Sequence, residues 1–200
     1  HEDYLNGHEL FKEIEKYSFF DYEVTEALHL SPKEEQIILE LYSKIQSEYF
    51  NNPDEYSRDI ILSHISSILK YAQRYYKRQF IDRVQLTGKT ASKFNDALRK
   101  YISEGLLEKN GLPNVAFLAD QLFVSPRYLS DLLKQETGKT AMELIHIFMI
   151  SEAKNLLRLG EKGVAEIAYE LGFENASYFT RLFKKQTGMK PLEFRKSQMN

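Results

Sequence analysis

Gly172-Phe173-Glu174-Asn175-Ala176-Ser177-Tyr178-Phe179-Thr180-Arg181-Leu182-Phe183-Lys184-Lys185-Gln186-Thr187-Gly188 reads as a tight turn followed by a short helix that ends at a glycine. Just before it, Val164-Ala165-Glu166-Ile167-Ala168-Tyr169-Glu170-Leu171 reads as a small-residue helix with Ala165, Ala168 and Leu171 on one face. Two short helices joined by a glycine-containing turn form a helix-turn-helix. Small residues on the first helix allow the second to cross it closely.

The pattern occurs twice. Val115-Ala116-Phe117-Leu118-Ala119-Asp120-Gln121-Leu122 matches the first helix at an offset of 49 residues, from 115 to 164. Ser125-Pro126-Arg127-Tyr128-Leu129-Ser130-Asp131-Leu132-Leu133-Lys134-Gln135-Glu136-Thr137-Gly138 matches the second at an offset of 50, from 138 to 188. The change places a one-residue insertion in the second turn, and the repeat is a tandem pair, too short for a solenoid. Between the copies, Ala141 to Leu159 is apolar at 144, 145, 148, 149, 153, 156 and 157, the spacing of one long helix. The expectation is an all-α chain with two reading units, 115–138 and 164–188, on a stiff connecting helix.

Glu166-Ile167-Ala168, Leu171-Gly172-Phe173, Ser177-Tyr178-Phe179, Arg181, Phe183-Lys184-Lys185, Thr187-Gly188 and Pro191-Leu192-Glu193-Phe194-Arg195 stand at fixed spacing. With these residues, 111–200 resembles the C-terminal DNA-binding domain of AraC/XylS-type bacterial transcription regulators. One departure is visible: members of that family often carry an Arg early in the connecting helix, where this chain has Met149. The resemblance implies a transcription regulator, an activator among its roles, with double-stranded DNA and RNA polymerase as partners; the expected location is the cytoplasm, at the bacterial nucleoid. It places base contacts at Asn175, Ala176, Ser177 and Arg181, with Thr180, Lys184 and Lys185 nearer the phosphates. It also implies an N-terminal cupin-type sensor for a small-molecule inducer, which nothing in residues 1–110 could build, and subunit pairing by helices that follow the sensor.

The residues of each reading unit give their own reading. Ser125 is an N-cap with Pro126 at the first helical position, presenting the helix N-terminus to a phosphate. The outward set is then Arg127, Ser130, Asp131 and Lys134, with Arg127 the natural reader of guanine. Asp131 either accepts from a cytosine amino group or pairs with Arg127. Ala176 suits a thymine methyl. Tyr128 and Tyr178 hold matching positions, where a phosphate contact and simple packing are both open.

The chain has 200 residues, 42% of them hydrophobic, and a formal net charge of −2. Such a composition builds a core rather than a disordered chain. The charge is unevenly placed: residues 111–200 hold 12 Lys/Arg against 10 Asp/Glu, and residues 1–110 hold 15 against 19. A mildly basic reading domain with an acidic companion is compatible with DNA, since phosphate binding depends on local charge. There is no cysteine, hence no disulfide or thiolate chemistry. No apolar run approaches the ~20 residues of a membrane span. The five histidines, His1, His8, His29, His64 and His146, show no metal-ligand spacing. No phosphate loop, dinucleotide fingerprint or nucleophile elbow occurs, so neither metal nor cofactor is expected and an enzyme is disfavoured. The competing reading is a helical protein-interaction adaptor with a degenerate helix-turn-helix.

Residues 1–110 read as a helical linker and dimerisation region. Leu10, Phe11, Ile14 and Tyr17 suit a short helix, and Phe19-Phe20-Asp21-Tyr22 fits strand or loop. Ser31-Pro32-Lys33-Glu34 is a capping-box start for a helix to about Phe50, and Asn52-Pro53 breaks the chain. Ile61, Ile65, Ile68, Ala72 and Tyr75 then form an a/d seam of about two heptads, read either as packing within the monomer or as a homodimer interface. In Tyr71-Ala72-Gln73-Arg74-Tyr75-Tyr76-Lys77-Arg78-Gln79-Phe80 the aromatics fit a core face and the bases a solvated one, with nucleic-acid stacking as the sharper alternative. A further helix spans roughly Ala91 to Leu107, and Glu108 to Pro113 reads as a linker, so that 111–200 is expected to fold alone.

Overall fold

The structure is a computed structural model and describes residues 1–52, 54–87 and 90–198. The expected break at Asn52-Pro53 therefore falls partly outside the described residues. Those residues are helical and contain no strand. They divide into two compact units, His1–Gly88 and Lys89–Asn200.

In the first unit a short helix α1 (Leu10–Ile14) and 3-10 turns precede two long helices, α2 (Pro32–Phe50) and α3 (Ser57–Thr87), packed side by side. The capping box that starts α2 is present: the Glu34 N–H donates to Ser31 Oγ, and the Ser31 N–H donates to Glu34 Oε2. Ser18–Asp21 is a 3-10 turn rather than strand. It brings Phe19 and Tyr22 onto Tyr76, with ring centroids 5.5 and 5.2 Å apart. The aromatics of 71–80 therefore serve the unit's own packing, with Tyr75 and Phe80 buried.

The seam on α3 is not a free face. Ile61 and Tyr75 are buried within the unit, and Ile65 packs on Leu5, Leu10 and Leu62. Ile68 and Ala72 are half-buried. Ile61, Ile65 and Tyr75 thus pack within the monomer, while Ile68 and Ala72 keep part of their surface open. Leu39, Tyr42, Tyr49 and Phe50 of α2 remain exposed.

The second unit begins at α4 (Thr90–Ser103), which is shorter than the helix expected to run to Leu107. Gly105, with φ 68, turns the chain into α5 (Leu106–Asn110), inside the stretch read as linker. There follow α6 (Val115–Gln121), α7 (Pro126–Thr137), α8 (Ala141–Leu159), α9 (Val164–Glu170), α10 (Ala176–Thr187) and α11 (Pro191–Gln198). The connecting helix α8 runs through the middle: α4 and α7 pack on it, as do α9, α10 and α11. One continuous core results, joining Phe94, Leu98, Tyr101 and Leu107 to Leu118, Leu129, Ile145, Met149, Ile167, Phe173, Phe179 and Phe183. The boundary between compact units thus lies at Gly88 and Lys89, not at Asn110-Gly111, because α4 and α5 complete the core of the reading units. Met149, at the family's Arg position, is fully buried in that core.

Candidate nucleic-acid interface

The two helix-turn-helix units share one backbone pattern, apart from a single inserted residue. Phe123 (φ 56) and Gly172 (φ 78) are the left-handed residues of the two turns. Directly after them, the Val124 N–H donates to the Ala119 carbonyl at 3.1 Å and the Phe173 N–H to the Ala168 carbonyl at 2.9 Å. Up to this point the offset is 49. The N-caps are Ser125 and Asn175, at an offset of 50, so the extra residue of the second turn is the exposed Glu174.

Both reading helices are closed at both ends. The Tyr128 N–H donates to Ser125 Oγ at 3.3 Å, while Asn175 Oδ1 accepts from Ser177 N–H at 2.7 Å and Tyr178 N–H at 3.2 Å. At the far ends Gly138 and Gly188 adopt φ 75 and 83, and the hydroxyls of Thr137 and Thr187 donate to the carbonyls of Leu133 and Phe183. Left-handed glycine caps of this kind satisfy the last carbonyls without a Cβ penalty.

In the first head, α7, the exposed residues are Pro126, Arg127, Lys134 and Gln135. Arg127 Nε lies 3.7 Å from Asp131 Oδ2, an i,i+4 ion pair within the helix. Ser130 does not face outward: its half-buried hydroxyl accepts from the Ala141 N–H at 3.4 Å, at the start of α8. Ser125 is buried, and Tyr128 is only 1% exposed, which resolves it as a packing residue rather than a phosphate contact.

The second head, α10, is more open. Ser177, Arg181, Lys184 and Lys185 are exposed, and Ala176 is half-buried. The Thr180 hydroxyl donates to the Ala176 carbonyl at 2.9 Å. Asn175 has its side-chain oxygen engaged by the cap, leaving its amide N–H groups as what it can offer. Tyr178 is 41% exposed, unlike its counterpart, and its hydroxyl lies 3.3 Å from His146 Nε2 on α8. Burial holds the His146 pKa below its ordinary value, the nearby Lys185 ammonium pushes the same way, and Glu143 opposes them. The sequence shows of His146 only that it lacks metal-ligand spacing; the fold brings it to Tyr178.

A family model described as a helix-turn-helix domain matches residues 118–197. The transcriptional regulatory protein YesN of Bacillus subtilis (strain 168) is 37% identical over 98 residues, 46% of this chain and 27% of that protein. The arabinose operon regulatory protein of Escherichia coli (strain K12) is 36% identical over 96 residues, 48% of this chain and 32% of that protein.

Residues 118–197 carry a helix-turn-helix domain, similar to part of these two regulators.

Among solved structures, the C-terminal domain of AraT, a response regulator from Geobacillus stearothermophilus, is similar over 55% of this chain and 88% of that one, at 27% identity and a TM-score of 0.44. The chain spans about a quarter to a third of the length of the two curated relatives above. The helix-turn-helix domain presents basic and polar residues on both of its second helices. Among the described residues no helix is long and apolar enough to cross a membrane.

Proposed function

We propose that the chain is a sequence-specific DNA-binding transcription regulator whose two reading helices enter successive major-groove segments. The observation that carries this reading is the duplicated head: two capped helices in one core, exposing Arg127 and Lys134 on the first and Ser177, Arg181, Lys184 and Lys185 on the second. Arg127 and Arg181 are the base readers, and Lys134, Lys184 and Lys185 lie on phosphates. Asn175 contributes as a cap that leaves its amide donors free for DNA, and Tyr178 places a hydroxyl at the backbone.

Selection from random duplexes with the whole chain, followed by titration at several salt concentrations, tests the reading. Counterion release makes log affinity fall linearly with log salt, whereas an adaptor that binds protein through its helices shows no preferred duplex and no such slope. Transcriptional activation rests on relatives such as the transcriptional activator RhaS of Escherichia coli, 35% identical over 81 residues. RNA polymerase as a partner, a small-molecule inducer acting through a sensor domain, action in the cytoplasm and homodimerisation are further parts of the proposal. Sedimentation over a wide concentration range tests the last.

A further inference from the structure

Gly111 and Leu112 lie backbone to backbone against the turn of the second head. The Leu112 N–H donates to the Gly172 carbonyl at 3.1 Å. A methyl group on Gly172 would stand 2.6 Å from the Gly111 carbonyl carbon and 2.8 Å from the Leu112 nitrogen, closer than any side chain tolerates. From the other side, the Tyr101 hydroxyl donates to the Gly111 carbonyl at 3.1 Å. The Tyr101 ring in turn meets Phe117, on the first helix of the first head, edge-on at 5.2 Å. Gly111 itself has φ 72 and ψ −152, a conformation open to glycine and hardly to other residues.

One short stretch, Tyr101 to Leu112, therefore touches the first helix of one head and the turn of the other. We propose that it is a brace that fixes the two reading helices relative to each other, and with them the spacing of the DNA segments they read. The residues of the brace position the heads; they do not read bases. Both heads pack on α8 in one core, and the backbone contact of Gly111 and Leu112 with Gly172 adds a further connection between them. The DNA part of this inference rests on the function proposed above, while the brace itself does not.

The whole chain contains no cysteine, so Lys134→Cys and Lys184→Cys place one spin label on each reading helix without interference. Dipolar distance measurement without DNA is expected to give one narrow distribution. Gly172→Ala, which pushes Gly111 and Leu112 off the turn, is expected to broaden or shift it. Gly188→Ala carries the same left-handed strain but meets nothing within 4 Å, so it is the control that leaves the distribution narrow. Tyr101→Phe keeps the ring and loses only the hydroxyl, and carries the test if Gly172→Ala does not fold. On a duplex selected by the unlabelled chain, one base pair inserted between the two read segments should lower wild-type affinity at least about tenfold, the scale of one lost base contact. Tyr101→Phe should shrink that penalty. Unchanged distances in both brace variants would overturn the brace. Broadened distances with no selected duplex would leave the brace standing and overturn the DNA reading.

Discussion

Phe123 and Gly172 occupy the same place in two copies of one turn, yet only one of them is a glycine. Phe123 holds φ 56 with its side chain 94% exposed, so the ring gains no burial to offset the left-handed backbone. Gly172 is constrained twice, by its φ and by the backbone of Gly111 pressed against it. Phe123→Asn should stabilise the second unit by about 1 kcal/mol, since asparagine visits this conformation readily and nothing packed is lost. Urea unfolding checks it, and an unchanged or lower midpoint would sink the argument. At the same scale, Arg181→Ala should cost about 1–3 kcal/mol of DNA affinity and relax preference at one or two positions. Lys184→Ala should weaken binding to every sequence alike and lower the salt slope by about one. Equal, sequence-independent losses from both would mean that Arg181 holds only the backbone.

Among the elements, the second reading helix separates two jobs that look alike from sequence. The family resemblance makes Asn175 an expected base contact, and in the fold its side-chain oxygen caps the helix. Aspartate caps equally well, so Asn175→Asp should leave stability within about 0.5 kcal/mol while weakening DNA binding through its charge. Asn175→Ala should cost about 1 kcal/mol of stability by the loss of the cap. Comparing thermal melts with binding of the two variants decides which job the residue does. His146 links this helix to α8. Its pKa is depressed in the folded chain by burial and by Lys185, so the unfolded chain takes up the proton first as pH falls. Stability is therefore expected to be fully present above about pH 6.5, the ordinary histidine value, and to decline below it through the folded pKa. His146→Gln should flatten that decline in melts recorded across the window. The repeat, its inserted residue and the caps at Ser125 and Gly188 were legible because they are local patterns. The burial of Tyr128 and the inward turn of Ser130 were not, because periodicity reports which face a residue takes and not how deeply the neighbours cover it. The α3 seam failed to distinguish partners for the same reason: an a/d stripe fits a second copy or the chain's own Leu5 and Leu10 equally well.

For the whole molecule, the compact unit that holds both heads is Lys89–Asn200. A fragment starting at residue 111 removes Phe94, Leu98, Tyr101 and Leu107, all buried in the shared core. Each such side chain is worth roughly 1.5–3 kcal/mol of burial, so together they rival the 5–15 kcal/mol that holds a typical domain. Residues 89–200 should unfold cooperatively in urea and residues 111–200 should not. A cooperative, native-like transition in the shorter fragment would show that α4 and α5 are dispensable. The Asn110-Gly111 boundary drawn from sequence rested on turn-forming residues, which mark a bend in the chain and say nothing of what packs across it. The connecting helix sets one more condition. At 1.5 Å per residue its 19 residues make a rod about 28 Å long. Successive major-groove openings on one face of straight DNA lie roughly 34 Å apart. If the two reading helices are held closer together than that, both heads seat fully only on a duplex that curves toward the protein. The elastic cost of that curvature falls on bases that no side chain touches, so flexible pyrimidine–purine steps between the two read segments should bind more tightly than stiff A-tracts.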